Sequence, residues 1–156
     1  MRLVLFEPDI PQNTGTLLRL GACWNLAIDV VFPCGFIFDD ARMRRAGMDY
    51  IDSVTLLRHT SWNAYLAWRA ANPALAGRLL LLSTKAAVPY QEFAYRADDS
   101  IMVGRESGGV PEAVHAAADQ RLVIPLRPGM RSLNVAIAAA VVAAEALRQT
   151  GFSSLA

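Results

Sequence analysis

The stretch SIMVGRESGGVP, at residues 100–111, predicts how this chain is built. Its first four residues are typical of a short buried strand, and three glycines follow before Pro111. Proline is favoured as the first residue of a helix, because its fixed φ suits the first turn. A strand, a glycine-rich turn and a helix in this order are typical of a parallel sheet, in which ligands bind at the turn.

The segments around this stretch repeat the same alternation of strand and helix. Strands are predicted at residues 3–6, 27–32, 50–57, 78–83, 100–103 and 122–124. Helices are predicted at residues 14–24 (capped by Asn13 or Thr14), 39–45, 61–71, from 111, and 132–149. Continuous apolar strands such as LLLL at residues 79–82 suit strands covered on both faces. We therefore expect one α/β domain over residues 1–156, with a mainly parallel sheet and helices on both of its faces.

Composition excludes several classes of protein. Hydrophobic residues make up 54% of the 156 residues and the formal net charge is +1, which excludes a disordered chain and a polycation. A nucleic-acid site must therefore be a local patch. Cys23, Cys34, His59 and His115 show no metal-ligand spacing, so no metal is expected. The longest apolar run, residues 135–144, is half a membrane span, and the apolar start is too short for a signal peptide. We expect a cytoplasmic protein with no membrane contact.

The last predicted helix is small and apolar almost all round between residues 133 and 147. A helix without a polar face needs cover on most sides. A second subunit, giving a homodimer, is favoured over the alternative of a central helix buried within one chain.

Polar residues in the loop at residues 8–19 are candidates for binding a ligand. Arg19 points away from the apolar face of its predicted helix, one turn after Gly15, which leaves room for a phosphate or a ribose. The alternative is that Asn13 only caps the helix and that Arg19 is a solvated side chain.

Two later loops contain the other unusual residues. The loop at residues 104–111 has neither a dinucleotide fingerprint nor a phosphate-binding loop, and a plain tight turn is the alternative. In the loop at residues 124–134, Ser132 is interpreted as a helix N-cap. Asn134 is interpreted as a buried amide whose partners a ligand could supply.

Taken together, the three loops resemble the motifs of the SPOUT superfamily of RNA methyltransferases. The pattern N-x-G-x-x-x-R at residues 13–19 resembles the first motif and G-x-E-x-x-G at residues 104–109 the second. Ile124-Pro125 with Ser132-Leu133-Asn134 resembles the third. The resemblance implies a C-terminal trefoil knot and S-adenosylmethionine as cofactor. Within the superfamily, the chain most resembles the short members that methylate the ribose 2′-hydroxyl of the wobble nucleotide, position 34, of tRNA. The expected substrates are leucine isoacceptors of tRNA.

The resemblance also implies which residues bind the cofactor. Backbone groups at the ends of strands and in the loops would hold it, with adenine among apolar side chains. Carried over to this chain, these residues are Leu82, Gly104, Ile124, Ser132, Leu133 and Asn134.

Three further residues are implied to be catalytic. Arg19 would position a phosphate and the reacting hydroxyl, because a guanidinium is almost never deprotonated and is well shaped for a phosphate. Asn13 would orient Arg19 or the ribose. Glu106 would hold its loop or an arginine.

The expected partner is the anticodon loop of tRNA, in which an unpaired nucleotide exposes its 2′-hydroxyl. Three positions depart from the family pattern: Arg105 stands where proline is usual, Gly108 where arginine is frequent, and Ala144 where an aromatic residue is frequent. A methyltransferase acting on another tRNA position or on rRNA, or a non-catalytic RNA-binding relative, is the alternative. A basic patch for RNA is expected from Arg42, Arg44 and Arg45, with an ordinary solvated face as the alternative. In a dimer, Arg105, Arg127 and Arg131 of the loops would join this patch.

Overall fold

A seven-stranded parallel sheet forms the centre of the molecule. The structure is a computed structural model that describes residues 1–39 and 49–152. The strands are β1 (Arg2–Phe6), β2 (Ala27–Val31), β3 (Leu56–His59), β4 (Leu79–Leu82), β5 (Val88–Pro89), β6 (Ser100–Val103) and β7 (Gln120–Val123). Their order is β3-β2-β1-β6-β4-β7-β5, and every neighbouring pair is parallel. The predicted mainly parallel α/β sheet is confirmed.

Helices cover both faces of this sheet. They are α1 (Pro11–Cys23), α2 (Trp62–Ala71), α3 (Pro73–Ala76), α4 (Glu112–Ala117) and α5 (Val135–Thr150), with 3-10 helices at Asp49–Ser53 and Tyr90–Glu92. Leu17 of α1 and Ala139 of α5 are buried in one apolar cluster with Leu3 of β1. Tyr65 of α2 is buried in a second cluster with Val4, the next residue of β1. Successive strand residues point to opposite faces, so both sides of the sheet are filled.

Three helices begin at other residues than predicted. Helix α4 begins at Glu112, so Pro111 is its N-cap and not its first residue. Helix α1 begins at Pro11 and its N-cap, Ile10, makes no side-chain bond, so Asn13 and Thr14 do not cap it. Proline needs no partner for a backbone N–H at the first turn, which makes a side-chain cap less necessary. Helix α5 begins at Val135 and is capped by Asn134, so the interpretation of Ser132 as the N-cap is wrong.

The region between β2 and α2 differs most from expectation. The predicted strand at residues 50–57 is wrong in its first half, where the 3-10 helix Asp49–Ser53 packs Ile51 into the core beside α1. Only Leu56–His59 is a strand, at the edge of the sheet. The predicted helix at residues 39–45 lies outside the described residues apart from residue 39. Strand β5 and helix α3, of two and four residues, were not predicted.

A buried ionic cluster fixes β1, β2 and β3 together under α2. The side chain of Asp29 is fully buried, and it accepts hydrogen bonds from Arg2 Nε and His59 Nε2, each at 2.6 Å. The Arg2 guanidinium lies 4.7 Å from the centre of the Trp68 ring. A buried charge needs such partners, because water no longer solvates it.

Among the described residues, no helix has the length and apolar character that crossing a membrane requires.

Replacing Asp29 by alanine is expected to destabilise the fold strongly. The change leaves the buried Arg2 guanidinium without its carboxylate, which costs about 3–5 kcal/mol in comparable buried pairs. Urea unfolding followed by circular dichroism measures the loss. Glu92→Ala, at an exposed residue, is the matched control and should change the free energy of unfolding by less than about 0.5 kcal/mol. Equal effects of the two changes would contradict a structural role for the cluster.

Candidate active site

A cavity of about 620 Å³ opens at the carboxyl ends of four neighbouring strands, β1, β6, β4 and β7. The loops that follow these strands supply its walls. Ligands of open parallel sheets bind at this edge, where helix and loop ends converge. The size of the cavity is in the range of small-molecule and cofactor sites.

The structure brings the predicted cofactor-binding residues together around this cavity. They come from three loops that are distant in sequence, and their roles remain predictions. One expectation about them is wrong: Asn134 is exposed and is not a buried amide. The residues that line the cavity are Leu82, Gly104, Ile124, Ser132, Leu133 and Asn134.

The loop after β6 folds back on itself next to the cavity. Arg105 N donates to Gly109 O at 3.1 Å, and Gly109 N donates to Arg105 O at 2.8 Å. Gly109 has a φ of +68°, which favours glycine. A Cβ atom on Gly104 would lie 2.6 Å from the carbonyl carbon of Gly109. The loop therefore closes only with glycine at position 104, and it presents bare backbone to the cavity.

A continuous chain of hydrogen bonds connects the three motif loops. Glu106 accepts from Asp9 N at 2.8 Å and from Asn13 Nδ2 at 2.9 Å. Asn13 Oδ1 accepts from Asn134 Nδ2 at 2.9 Å. Asn134 Oδ1 in turn accepts from Ala136 N at 2.8 Å, at the start of α5. The side-chain amides of Asn13 and Asn134 therefore each donate through Nδ2 to one neighbour and accept through Oδ1 from the other, which fixes the orientation of each amide.

Two further contacts attach the loop after β6 to the end of β1. Asp9 accepts from Ser107 N at 3.1 Å and also from the Ser107 hydroxyl. Arg105 forms an ion pair with Glu7, which has a left-handed φ of 44°. Arg105 also lines the cavity, so its charge is held at the rim by Glu7.

Arg19 lies apart from the other predicted catalytic residues. Asn13 and Glu106 line the cavity and Arg19 does not. Six residues after Asn13, it is turned by about 120° around α1 and lies about 9 Å further along the helix. It is exposed, as predicted, and its Nη2 donates to the Tyr50 hydroxyl at 3.1 Å.

The basic patch predicted for RNA is described only in part. Arg42, Arg44 and Arg45 lie outside the described residues. Arg127 and Arg131 are both exposed in the loop between β7 and α5, and Arg131 lines the cavity.

The structure adds cavity residues that the motifs did not single out. Ile10 lies at the start of α1, and Lys85 follows β4. His115 of α4 has a buried Nδ1 without a hydrogen-bond partner in the described part of the chain. The sequence did contain a signal for Lys85: it follows a predicted strand, and the residues after the carboxyl ends of parallel strands form the edge of the sheet at which ligands bind. Nothing in the sequence around His115 distinguished it from a surface residue of a short helix.

No group of three or more histidine, cysteine, aspartate or glutamate side chains in residues 1–39 and 49–152 could hold a metal ion.

The family model described as the SpoU rRNA Methylase family matches residues 1–144. The chain belongs to this family. The resemblance to the RNA methyltransferases of the SPOUT superfamily is thereby confirmed, and the family fold implies the C-terminal knot. The tRNA (cytidine(34)-2′-O)-methyltransferase of Beijerinckia indica is 58% identical over 149 residues, which cover 96% of this chain and 91% of the relative. The enzyme of the same name from Escherichia coli K12 is 39% identical, and the match covers 97% and 95% of the two chains.

Solved structures of SpoU methylases have the same fold. A structure on the 2-OH methylation of C/U34 on tRNA superposes with a TM-score of 0.85 at 38% identity, covering 95% of this chain and 94% of that one. AviRb from Streptomyces viridochromogenes, in complex with AdoMet, superposes with a TM-score of 0.84 at 22% identity, over 96% of this chain and 60% of its own. The second likeness is evidence for the fold alone.

Replacing Gly104 by alanine is expected to weaken the binding of S-adenosylmethionine at least about tenfold, because the loop beside the cavity must open to relieve a backbone clash. Isothermal titration with the cofactor measures the affinity. Gly108→Ala is the matched control in the same loop, since its Cβ would meet nothing closer than 3.8 Å. Equal affinities of the two variants would contradict the requirement for glycine at position 104.

Proposed function

We propose that this SpoU methylase transfers the methyl group of S-adenosylmethionine to the ribose 2′-oxygen of nucleotide 34 in the anticodon loop of tRNA. The observation that carries the proposal is the hydrogen-bonded assembly of Asn13, Glu106 and Asn134 at the cavity. The relatives named for this reaction, at 58% and 39% identity over nearly the whole chain, support the choice of nucleotide. The enzyme works in the cytoplasm, where its tRNA substrates are, and leucine isoacceptors are the expected substrates.

The cavity fits the proposed cofactor. Gly104 leaves room for a ligand to approach the backbone, and Leu82, Ile124 and Leu133 supply apolar walls. Mostly apolar pockets with a few placed polar groups are typical of cofactor sites. When bound, S-adenosylmethionine supplies an electrophilic methyl group on a sulfonium. Ser132 and Asn134 contribute polar groups at the same wall.

Asn13 and Glu106 set the geometry of the acceptor side. With S-adenosylmethionine bound, its methyl group would pass to the 2′-oxygen as the carbon–sulfur bond breaks, the neutral thioether would be the leaving group, and the hydroxyl proton would pass to solvent water. Both oxygens of Glu106 already accept hydrogen bonds, so this carboxylate holds the loop and Asn13. Asn13 is thereby fixed at the cavity, where it orients the ribose. Much of the rate then comes from alignment of the reacting atoms.

Arg19 acts on the RNA side of the site. It lies outside the cavity wall, so it is placed to bind a phosphate next to the reacting nucleotide. A guanidinium presents paired N–H donors that match phosphate oxygens. This phosphate contact holds the substrate nucleotide at the cofactor.

The protein functions as a homodimer through the open side of α5. Ile137 is 55% exposed, and Ala140, Val141 and Ala144 on the same side of the helix are only half-buried. These four residues form an apolar stripe, which is favourable to bury against another subunit. The other side of α5 fills the core of its own chain, so the helix is not buried all round within one subunit.

The substrate is tested with labelled S-adenosylmethionine and total tRNA from a strain that lacks the enzyme. Digestion and mass spectrometry then locate the label. A 2′-O-methyl group on nucleotide 34 of a few tRNAs supports the proposal. Label at another tRNA position or on added rRNA contradicts the choice of nucleotide. Cofactor binding without any transfer contradicts the proposed activity.

Replacing Arg19 by alanine is expected to lower methyl transfer about 100-fold or more, because the substrate loses a positioning contact. The affinity for S-adenosylmethionine should not change, since Arg19 does not line the cavity. Single-turnover rates and cofactor titrations measure the two quantities. Arg96→Ala, an exposed arginine outside the cavity wall, is the control and should transfer normally. Loss of cofactor binding in Arg19→Ala would refute the role on the RNA side.

Replacing Ile137 by arginine is expected to dissociate the dimer, because a charge would enter the apolar stripe. Analytical ultracentrifugation measures the mass, which should fall from that of two chains to that of one. Leu75→Arg is the control: Leu75 is 59% exposed but lies in α3, beside α2 on the other face of the sheet. A dimer that survives Ile137→Arg and not Leu75→Arg would place the interface elsewhere.

A further inference from the structure

The phenol ring of Tyr50 lies directly against the guanidinium group of Arg19. The guanidinium carbon is 4.6 Å from the centre of the ring, a cation–π distance. Arg19 Nη2 also donates a hydrogen bond to the Tyr50 hydroxyl at 3.1 Å. One tyrosine therefore contacts both the flat face and an edge of the arginine.

The backbone that carries Tyr50 is fixed against α1. Tyr50 belongs to the 3-10 helix Asp49–Ser53, and the next residue, Ile51, is only 7% exposed. Ile51 shares its core cluster with Leu17 and Leu18 of α1, the two residues before Arg19. The ring and the helix that carries Arg19 therefore keep their relative position.

Such a contact limits what an arginine side chain can do. An exposed arginine has a long flexible stem, and ordering that stem opposes the binding of a ligand. A guanidinium held flat on a ring has already lost much of this freedom, so less is lost when a phosphate binds. The contacts with Tyr50 involve one face and one N–H group of the guanidinium. The planar, forked shape of a guanidinium matches the oxygens of a phosphate.

We propose that Tyr50 is a positioning residue that presents Arg19 to a phosphodiester of the RNA substrate. The proposal rests on the phosphate-binding role given to Arg19 above. Tyr50 does not line the cofactor cavity, so it acts through the arginine and not through the cofactor. The class of ligand is the sugar–phosphate backbone of RNA next to the nucleotide that is methylated.

Two substitutions separate the two contacts. Tyr50→Phe keeps the ring face and removes the hydroxyl, and Tyr50→Leu removes both. We expect the Kd for tRNA to rise roughly threefold in Tyr50→Phe and roughly tenfold in Tyr50→Leu, from typical strengths of hydrogen bonds and cation–π contacts. The rate of transfer at saturating tRNA should fall in the same order. The affinity for S-adenosylmethionine and the thermal midpoint of Tyr50→Phe should not change.

The decisive experiment is a double-mutant cycle on the binding of tRNA to the full-length protein. Filter binding gives Kd for the wild type, Arg19→Ala, Tyr50→Leu and the double variant. If Tyr50 acts through Arg19, Tyr50→Leu weakens binding in the wild type and adds almost nothing in Arg19→Ala. A full, additive loss in the Arg19→Ala background overturns the proposal, as does an unchanged Kd in Tyr50→Leu.

The same measurements distinguish this proposal from the one on which it rests. If Arg19→Ala binds and methylates tRNA normally, both proposals fall. If Arg19→Ala is defective and both Tyr50 variants are normal, only the role of Tyr50 falls. Should Tyr50→Leu prove unfolded, the same cycle with Tyr50→Phe decides the question: a loss that disappears in the Arg19→Ala background supports the proposal, and an additive loss overturns it.

Discussion

The rest of the site depends on one run of hydrogen bonds, from Asp9 N through Glu106 and Asn13 to Asn134. Glu106 must be acceptor on both oxygens, because one faces a backbone N–H and the other an amide NH2. A glutamine there would turn a donor towards a donor, although its shape is the same. The donors then all point the same way, towards Glu106: Ala136 N in the first turn of α5 donates to Asn134, Asn134 donates to Asn13, and Asn13 donates to the carboxylate. The charge of a single carboxylate thus orders three loops at once.

Much of the candidate site could be predicted from the sequence. The motifs indicate which residues take part, and the parallel sheet indicates that the site lies at the carboxyl ends of its strands. The glycine at position 104 and the apolar residues at strand ends follow from both. Two features could not be predicted. The side chain of Asn134 caps α5 and bonds to Asn13, 121 residues away, which no local pattern reveals. The contact between Arg19 and Tyr50 depends on how a 3-10 helix packs against α1.

The fold was predictable where burial is continuous. Strands β4 and β6 consist of apolar or small residues covered on both faces, and their bounds differ from the prediction by at most one residue. The prediction failed near the edge strand β3. Ile51 lies in a 3-10 helix and Val54 in the bend that follows it, and both pack against the core without forming a strand. β-Branched residues fit either arrangement, so tertiary packing decides. Strand β5, of two residues, is too short for any periodicity to indicate it.

The bond between Asn13 and Asn134 also has a consequence for biosynthesis. A ribosome makes the chain from its N-terminus, so β1 and α1 are available long before residue 134 emerges. The wall of the cavity that contains Ser132, Leu133 and Asn134 is made last, and the central strand β6 enters the sheet after both of its neighbours, β1 and β4. Contacts of such large sequence separation close slowly. A nascent chain therefore contains most of the sheet without a complete cofactor cavity, and cofactor binding marks the end of folding.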